Sequence, residues 1–76
     1  MGYKDRIEIN PRILGGKPVI RGTRISVELI LRKLAEGATD QVLLEAYPNL
    51  RAEDVKAALV YAAESIAREE IHTFEP

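Results

Sequence analysis

The apolar positions of the chain follow two different periods, and the change falls near residue 25. Before it, short apolar pieces alternate with glycine and proline. After it, apolar residues recur every three or four positions, as on one face of a helix. We therefore assign a single domain with an extended β arm at 6–25, a three-helix bundle at 26–70 and a C-terminal tail at 71–76.

The arm is predicted to hold two short strands. The alternation in Ile7-Glu8-Ile9 indicates the first, which ends at Asn10-Pro11. Gly15-Gly16 indicates a turn, and Val19 to Ile25 forms the second extended piece, with Gly22 indicating a bulge or a close backbone approach. Because an isolated hairpin is marginal in water, the arm must lie on the helices or pair with a second copy.

The first helix is predicted over residues 27–36. Ser26 stands at the N-cap, where its hydroxyl can accept a hydrogen bond from a first-turn N–H. Gly37 follows the last turn, where a left-handed residue commonly ends a helix. The spacing i, i+3, i+4, i+7 predicts one buried face: Val27, Ile30, Leu31 and Leu34.

Two further helices are predicted over residues 40–47 and 52–70. Thr39 caps the second helix, and Pro48 ends it because proline disfavours the helical conformation in the preceding residue. The predicted apolar face of the second helix is Val42, Leu43, Ala46 and Tyr47. The predicted apolar face of the third is Val55, Ala58, Leu59, Ala62 and Ile66.

The three predicted helices are joined by short connections. The middle helix is brief and the last helix is long, which is the outline of a homeodomain-like helix-turn-helix. Residues 48–51 would be the turn between the second and third helices. The fold predicted is therefore mainly α: a homeodomain-like three-helix domain with a short N-terminal β arm or hairpin.

The composition excludes disulfides and cysteine-bound metals as ways of stabilising so small a domain. The chain has 76 residues, no cysteine and one histidine, so disulfides and thiolate-bound metals are excluded, and His72 cannot form a metal site alone. We expect no cofactor and no metal. The hydrophobic core of a domain of this length contributes only a few kcal/mol of stability. We therefore expect a homodimer or a partner chain to stabilise it further.

The net charge of −1 conceals a basic arm on an acidic body. Residues 1–24 carry six basic and two acidic side chains, giving +4. Residues 25–76 carry five basic and ten acidic side chains, giving −5. This asymmetry favours an anionic partner for the arm, or ion pairing between the two halves.

The candidate DNA contacts lie in the arm and at the start of the third helix. Arginine and lysine beside glycine suit phosphate contacts, because the charges attract and the backbone can approach closely. The alternative is that the arm arginines pair with helix carboxylates. The candidates are Lys17, Arg21, Thr23, Arg24, Arg51 and Lys56.

No arrangement in the sequence indicates an enzyme. Gly15-Gly16-Lys17-Pro18 is a poor phosphate loop, because Pro18 removes a backbone N–H that such a loop needs. Glu53 and Asp54 are adjacent on a helix and point about 100° apart, so we expect solvated carboxylates rather than a catalytic pair. We expect a protein without catalytic activity.

The end of the chain carries apolar residues beyond the expected core. Such residues at a charged terminus can dock on a partner, or they can fold back on the bundle or close a dimer. The candidate partner-binding residues are Ile66, Glu70, Ile71 and Phe74. There is no apolar run long enough for a membrane span and no signal-peptide pattern, so we expect no membrane association and a cytoplasmic protein.

The sequence resembles the domain of unknown function family 433 (DUF433) over about residues 5–64. The resemblance rests first on the run from Gly15 to Val27, GGKPVIRGTRISV. It continues in the spaced features that follow: Gly37, Tyr47-Pro48, Leu50, Glu53-Asp54-Val55, Ala57-Ala58-Leu59 and Tyr61-Ala62.

The resemblance implies a homeodomain-like helical domain with a short β arm that is usually dimeric. It also implies a similarity to VapB-type antitoxins, which bind promoter DNA and neutralise a PIN-domain-like ribonuclease toxin. One position departs from the pattern: the family often has Thr or Ser where this chain has Arg51, at the cap of the third helix. Asn49 is the alternative cap, which would start that helix earlier.

Overall fold

The computed structural model describes residues 3–70, which form a mainly α domain, as predicted. Three helices follow a two-stranded antiparallel sheet and two short 3₁₀ turns. The 3₁₀ turns are Tyr3–Arg6 and Leu14–Gly16, the strands are β1 (Ile7–Glu8) and β2 (Val19–Ile20), and the helices are α1 (Val27–Ala35), α2 (Asp40–Ala46) and α3 (Ala52–Glu70).

The β arm pairs within the chain and lies on the helices. Ile7 faces Ile20 and Glu8 faces Val19 in the antiparallel register. Ile7, Val19 and Ile20 are all buried, so the sheet contributes apolar side chains to the helical core. Strands of two residues are too short to be stable alone, and this burial is what holds them in place.

The extended piece predicted over Val19 to Ile25 is shorter than expected, because β2 ends at Ile20 and a tight turn follows it. Gly22 has φ +81°, a conformation that glycine adopts without steric cost. The Thr23 hydroxyl donates to the Ile20 carbonyl at 2.7 Å and accepts from the Ile25 N–H at 2.9 Å. The chain therefore reverses direction at residues 21–24, called the 21–24 turn below.

The helix boundaries follow the predicted caps. The Ser26 hydroxyl accepts from the Leu29 N–H at 2.9 Å, and the Thr39 hydroxyl accepts from the Val42 N–H at 3.2 Å. At the end of α1, Gly37 has φ +107°, as its position past the last turn predicts. These local hydrogen bonds set where α1 and α2 begin, and the glycine lets the chain leave α1.

One apolar core joins the sheet to all three helices. Its buried members are Ile7, Ile20, Val27, Ile30, Leu43, Leu50, Val55, Ala57 and Ala58. Four side chains predicted to lie on buried faces are instead exposed: Ala46, Val42 at 51%, Leu59 at 45% and Ile66 at 51%. A helical period locates a stripe, but it does not say how far round the helix the neighbouring elements reach.

The start of α3 is held by a buried carboxylate. Asp54 is 4% exposed, and its Oδ2 accepts from the Arg51 backbone N–H at 2.9 Å. Its Oδ1 accepts from Arg6 Nη1 at 3.0 Å. The expectation of a solvated Asp54 is therefore wrong. The alternative of Asn49 as the cap is also wrong, because α3 begins at Ala52.

None of the helices described between residues 3 and 70 is long and apolar enough to cross a bilayer.

We predict that Asp54→Asn lowers the free energy of unfolding by about 2–3 kcal/mol. The change removes the charge that Arg6 pairs with and weakens the hydrogen bond to the Arg51 N–H. Thermal and urea unfolding followed by far-UV circular dichroism measure the loss.

The matched control is Glu53→Gln, which removes a neighbouring exposed carboxylate. This variant should unfold within about 0.5 kcal/mol of the wild type. Equal effects of the two substitutions would show that the Asp54 contacts stabilise the fold no more than an exposed carboxylate does.

Candidate nucleic-acid interface

A cleft of about 750 Å³ opens between the 21–24 turn and the first turns of α3. The residues of the 21–24 turn at its wall are Arg21, Gly22 and Thr23. The α3 side is formed by the turn before the helix and by residues of its first turns: Asn49, Arg51, Glu53, Asp54, Lys56, Ala57 and Val60. Asp5 and Arg6 complete the lining.

The fold brings four of the six candidate DNA contacts to this one cleft. Arg21 and Thr23 come from the arm, and Arg51 and Lys56 come from the start of α3. About thirty residues of sequence separate the two pairs. The Arg6–Asp54 ion pair lies in the same lining and joins the two sides.

The side chains of Arg51 and Lys56 are exposed and carry no hydrogen bond or ion pair to any other residue of the described chain. Arg24 is likewise exposed and unpaired within residues 3–70, one position beyond the lining residue Thr23. These three cations can therefore contact an anionic ligand without first breaking a bond to another described residue.

Arg21 has a structural role as well as a place in the cleft. Its Nε donates to the Asp5 carbonyl at 2.8 Å, and its Nη2 donates to the Ile7 carbonyl at 3.3 Å. The alternative that the arm arginines pair with helix carboxylates does not hold for Arg21, since its acceptors are backbone carbonyls. The guanidinium is thereby fixed in orientation at the edge of the cleft.

Thr23 is committed to the fold in a similar way. Both hydrogen-bonding functions of its hydroxyl are used inside the 21–24 turn. Its part in the site is to shape the turn that carries Arg21 and Arg24.

Lys17 is the candidate that the structure places elsewhere. Its Nζ lies 3.1 Å from Glu28 Oε1 on α1, and it does not line the cleft. Glu28 also pairs with Arg32 at 3.0 Å, so the three side chains form an exposed cluster on α1. Lys17 of the arm therefore pairs with a helix carboxylate.

The pKa of Glu28 is lowered from its ordinary value of 4.5, first by the hydrogen bond from Lys17 and then by that from Arg32. Both cations favour the ionised carboxylate, and their charges act in the same direction.

The charges of the cleft are mixed in sign. Asp5 and Glu53 lie in the lining with Arg21, Arg51 and Lys56, while Arg6 and Asp54 neutralise each other. The cleft therefore has an excess of one positive charge. An anion that contacts Arg51 and Lys56 avoids repulsion only if it stays clear of Glu53.

Three residues of the site, Arg6, Asn49 and Asp54, have positions or partners that the sequence analysis did not anticipate. Arg6 is 48 positions from Asp54, and nothing in the sequence links them. Asn49 lines the cleft from the turn between α2 and α3, where it had been considered only as a cap. Asp54 could have been found from its spacing, because an acidic residue three positions after an N-cap commonly accepts from the N-cap backbone N–H.

The candidate partner-binding residues lie at the far end of α3. Ile66 is 51% exposed, so it does not fold back on the bundle. Glu70 is the last residue of α3. Ile71 and Phe74 lie outside the described residues.

Within residues 3–70 there is no group of three or more histidine, cysteine, aspartate or glutamate side chains arranged to hold a metal ion.

The fold defined above is a small mainly α domain with an N-terminal hairpin and a cleft beside its last helix. Residues 7–62 match the family described as "Protein of unknown function (DUF433)". The chain belongs to this family, as the run from Gly15 to Val27 indicated.

Two relatives support the assignment. The chain is 41% identical over 59 residues to "Uncharacterized protein y4eO" of Sinorhizobium fredii (strain NBRC 101917 / NGR234), a match that covers 78% of this chain and 27% of that protein. The chain thus spans about a quarter of that relative's length. A crystal structure of a DUF433 member protein from Anabaena variabilis superposes with a TM-score of 0.75 at 42% identity, covering 87% of this chain and 68% of that one.

We predict that the stabilising effect of the Glu28 cluster depends on pH. Because the pKa of Glu28 is lowered in the folded state, its contribution is present above pH 4.5 and is lost as the pH falls through the folded value. Glu28→Gln should therefore be less stable than the wild type at pH 7, and the difference should shrink below pH 4.5.

Urea unfolding at a series of pH values measures this difference, with Glu53→Gln as the exposed control. A Glu28→Gln effect that is the same at pH 3 and pH 7 would contradict the assignment.

Proposed function

We propose that the protein is a non-catalytic DNA-binding regulator of the antitoxin type, in which α2, the intervening turn and α3 act as a helix-turn-helix. The observation that carries the DNA-binding part is the single cleft that unites Arg21, Arg51 and Lys56 beside the start of the last helix. In a helix-turn-helix the N-terminal residues of the second helix contact the bases.

The geometry suits a division between backbone and base contacts. Arg24 and the oriented guanidinium of Arg21 stand on the 21–24 turn, beside α3 rather than on it. They are placed to meet phosphates flanking a groove that α3 enters. Arg51 and Lys56 lie at the start of the helix, where long side chains reach base edges or the phosphates next to them.

The acidic residues of the body predict weak binding by a single copy. The net charge is −1, and Glu53 projects from the first turn of α3. Binding to DNA depends on releasing counterions, so few phosphate contacts give a low affinity at physiological salt. We therefore expect the affinity to be measurable at low salt and to require more than one copy at higher salt.

The toxin-neutralising part of the proposal rests on the resemblance to VapB-type antitoxins. A PIN-domain-like ribonuclease would bind the end of the chain, through Ile66, Glu70, Ile71 and Phe74. The exposure of Ile66 agrees with a role outside the domain's own core. The regulator would then couple toxin binding at one end of α3 to promoter binding at the other, and so regulate its own operon.

A second function is favoured by a different observation. Leu59 and Ile66 expose apolar surface on α3 although the helix already buries another face in the core. This feature suits a dimeric protein-interaction or assembly domain that binds no nucleic acid. The two functions differ in whether duplex DNA is bound at low salt.

We predict that the double substitution Arg51→Ala/Lys56→Ala weakens duplex binding and flattens its salt dependence. Each lost phosphate contact should reduce the slope of log affinity against log salt concentration by about one. Fluorescence anisotropy with a labelled promoter fragment, titrated from low to high salt, measures both quantities.

The control is the double substitution Arg12→Ala/Lys33→Ala, which also removes two positive charges, both outside the cleft. Its salt slope should equal that of the wild type. Equal losses in the cleft variant and the control would mean that only net charge matters, and the cleft would not be the interface. An absence of binding by the wild type at low salt would favour the assembly function.

We predict that truncation after Glu70 abolishes binding of the ribonuclease partner and leaves DNA affinity unchanged. The removed residues include Ile71 and Phe74, two of the four candidate partner contacts. A pull-down from nuclease-treated lysate, followed by a ribonuclease inhibition assay with the recovered partner, compares the truncated and full chains. Full inhibition by the truncated chain would contradict a role for this segment.

A further inference from the structure

The chain has two asparagines, and the structure gives them different roles. After β1, the Asn10 Oδ1 accepts from the Arg12 N–H at 2.9 Å and so helps to form a turn. Asn49 lines the cleft and is exposed, and its side-chain amide has no hydrogen bond to any other residue between 3 and 70. Asn10 therefore has a structural task, whereas the amide of Asn49 is left open to a ligand.

The usual structural reasons for an asparagine in a turn do not apply to Asn49. Among residues 3–70, Leu14 is the only residue other than glycine with a positive φ, so Asn49 is not in the left-handed conformation that asparagine tolerates. Asn49 does not cap α3 either, because the N–H at the start of that helix is bound by Asp54. An exposed amide without a structural task, on a turn that lines a candidate site, points to a contact with the ligand.

The backbone on both sides of Asn49 is held in place by the fold. The Leu50 N–H donates to the Tyr47 carbonyl at 2.8 Å, and the Leu50 side chain is buried. Two residues after Asn49, the Arg51 N–H donates to the Asp54 carboxylate at 2.9 Å. A short side chain on a backbone that is already fixed loses little conformational freedom when it binds. The fold therefore preorganises Asn49 for a directional contact.

We propose that Asn49 is a specificity-determining residue that binds the major-groove edge of an adenine in duplex DNA. The inference rests on the proposed function, in which the turn before α3 and the start of α3 meet the groove. An asparagine amide matches adenine, because its oxygen accepts from the N6 amino group and its N–H donates to the N7 atom. No other base presents a donor beside an acceptor on this edge, so adenine alone uses both groups of the amide.

The charge of Glu53 favours a base edge over a phosphate as the partner of Asn49. Glu53 belongs to the same cleft lining, is exposed, and has no hydrogen bond or ion pair to another residue between 3 and 70. Its carboxylate repels a phosphate, whereas the edge of an adenine is uncharged and carries an N–H donor. In this arrangement the cations of the cleft supply the affinity for the backbone, and the neutral amide supplies the selection among bases.

A contact through Asn49 changes the affinity for one sequence without changing counterion release. A neutral side chain displaces no counterion, so Asn49→Ala should leave both the salt slope and the affinity for random-sequence duplex unchanged. On a duplex that carries the preferred adenine, loss of the bidentate contact should weaken binding about 10-fold. A substitution that damaged the fold would instead weaken binding to both duplexes.

In vitro selection tests the assignment, with the full chain at low salt and a duplex library whose central segment is randomised. The wild type should select sites with an invariant adenine that Asn49→Ala does not select, while the other selected positions stay the same. Asn10→Ala is the matched control, because it removes the other asparagine, which lies outside the cleft, and it should select the wild-type site. Far-UV circular dichroism confirms that both variants keep their helical content and melting midpoint.

A modified duplex tests the atomic contact. In 7-deazaadenine a carbon replaces the N7 acceptor, and pairing with thymine is kept. Fluorescence anisotropy on the selected site should show that this replacement weakens binding of the wild type and has no further effect on Asn49→Ala, because the contact is already lost in the variant. Losses that add when the two changes are combined would show that Asn49 does not contact this atom, and would overturn the proposal.

Failure of this inference can be distinguished from failure of the proposed function. A wild type that binds no duplex at low salt would refute DNA binding, and the role of Asn49 with it. A wild type that binds duplex and selects no adenine, or an Asn49→Ala variant that selects the wild-type site, would overturn the role of Asn49 alone and leave DNA binding standing.

Discussion

The contact on which the rest of the structure depends is the one between Arg6 and Asp54. One carboxylate oxygen accepts from the guanidinium at 3.0 Å and the other accepts from the N–H at the start of α3 at 2.9 Å. The same buried side chain thus begins the last helix and fastens the N-terminal segment to it. A carboxylate that is 4% exposed needs such partners, because an unpaired buried charge is costly. The pair thus joins the N-terminal segment to the start of α3, and both partners line the cleft.

The cations of the chain divide into those that stabilise the fold and those that do not. Arg6, Lys17 and Arg21 are bonded to a carboxylate or to backbone carbonyls. Arg51 and Lys56 have no such partner among residues 3–70. A basic arm in the sequence is therefore only in part a basic surface in the structure. The unpaired cations discussed above lie where the 21–24 turn meets α3. For this reason the cleft, rather than the arm as a whole, is the candidate interface.

The length of α3 explains why so small a domain leaves one side of a helix outside its core. Its nineteen residues extend about 28 Å, and only its first half is covered by the arm and the other helices. The inner side supplies Val55 and Ala58 to the core. The outer side keeps Leu59 and Ile66 in solvent. A core of this size is only marginally stable, and association through the exposed side is a physically reasonable way to add to it.

Local sequence determined the elements of this fold, and tertiary structure decided the site. The hydroxyls of Ser26 and Thr39 and the glycine at 37 define helix ends through contacts within a few residues, so the boundaries of α1 and α2 could be predicted to within one residue. The membership of the family could also be recognised from a contiguous run of residues, and residues 7–62 match it.

Other features depend on which elements meet, and no local rule supplies that. The pairing of Arg6 with Asp54 joins positions 48 residues apart. Lys17 pairs with Glu28, and Leu59 is exposed. Both follow from how the arm lies on the helices. Side-chain chemistry is fixed by sequence, whereas burial and partners are fixed by packing. The sequence by itself therefore identified four of the twelve residues that line the cleft. Only the tertiary structure brought them together and decided which of their charges remain available to a ligand.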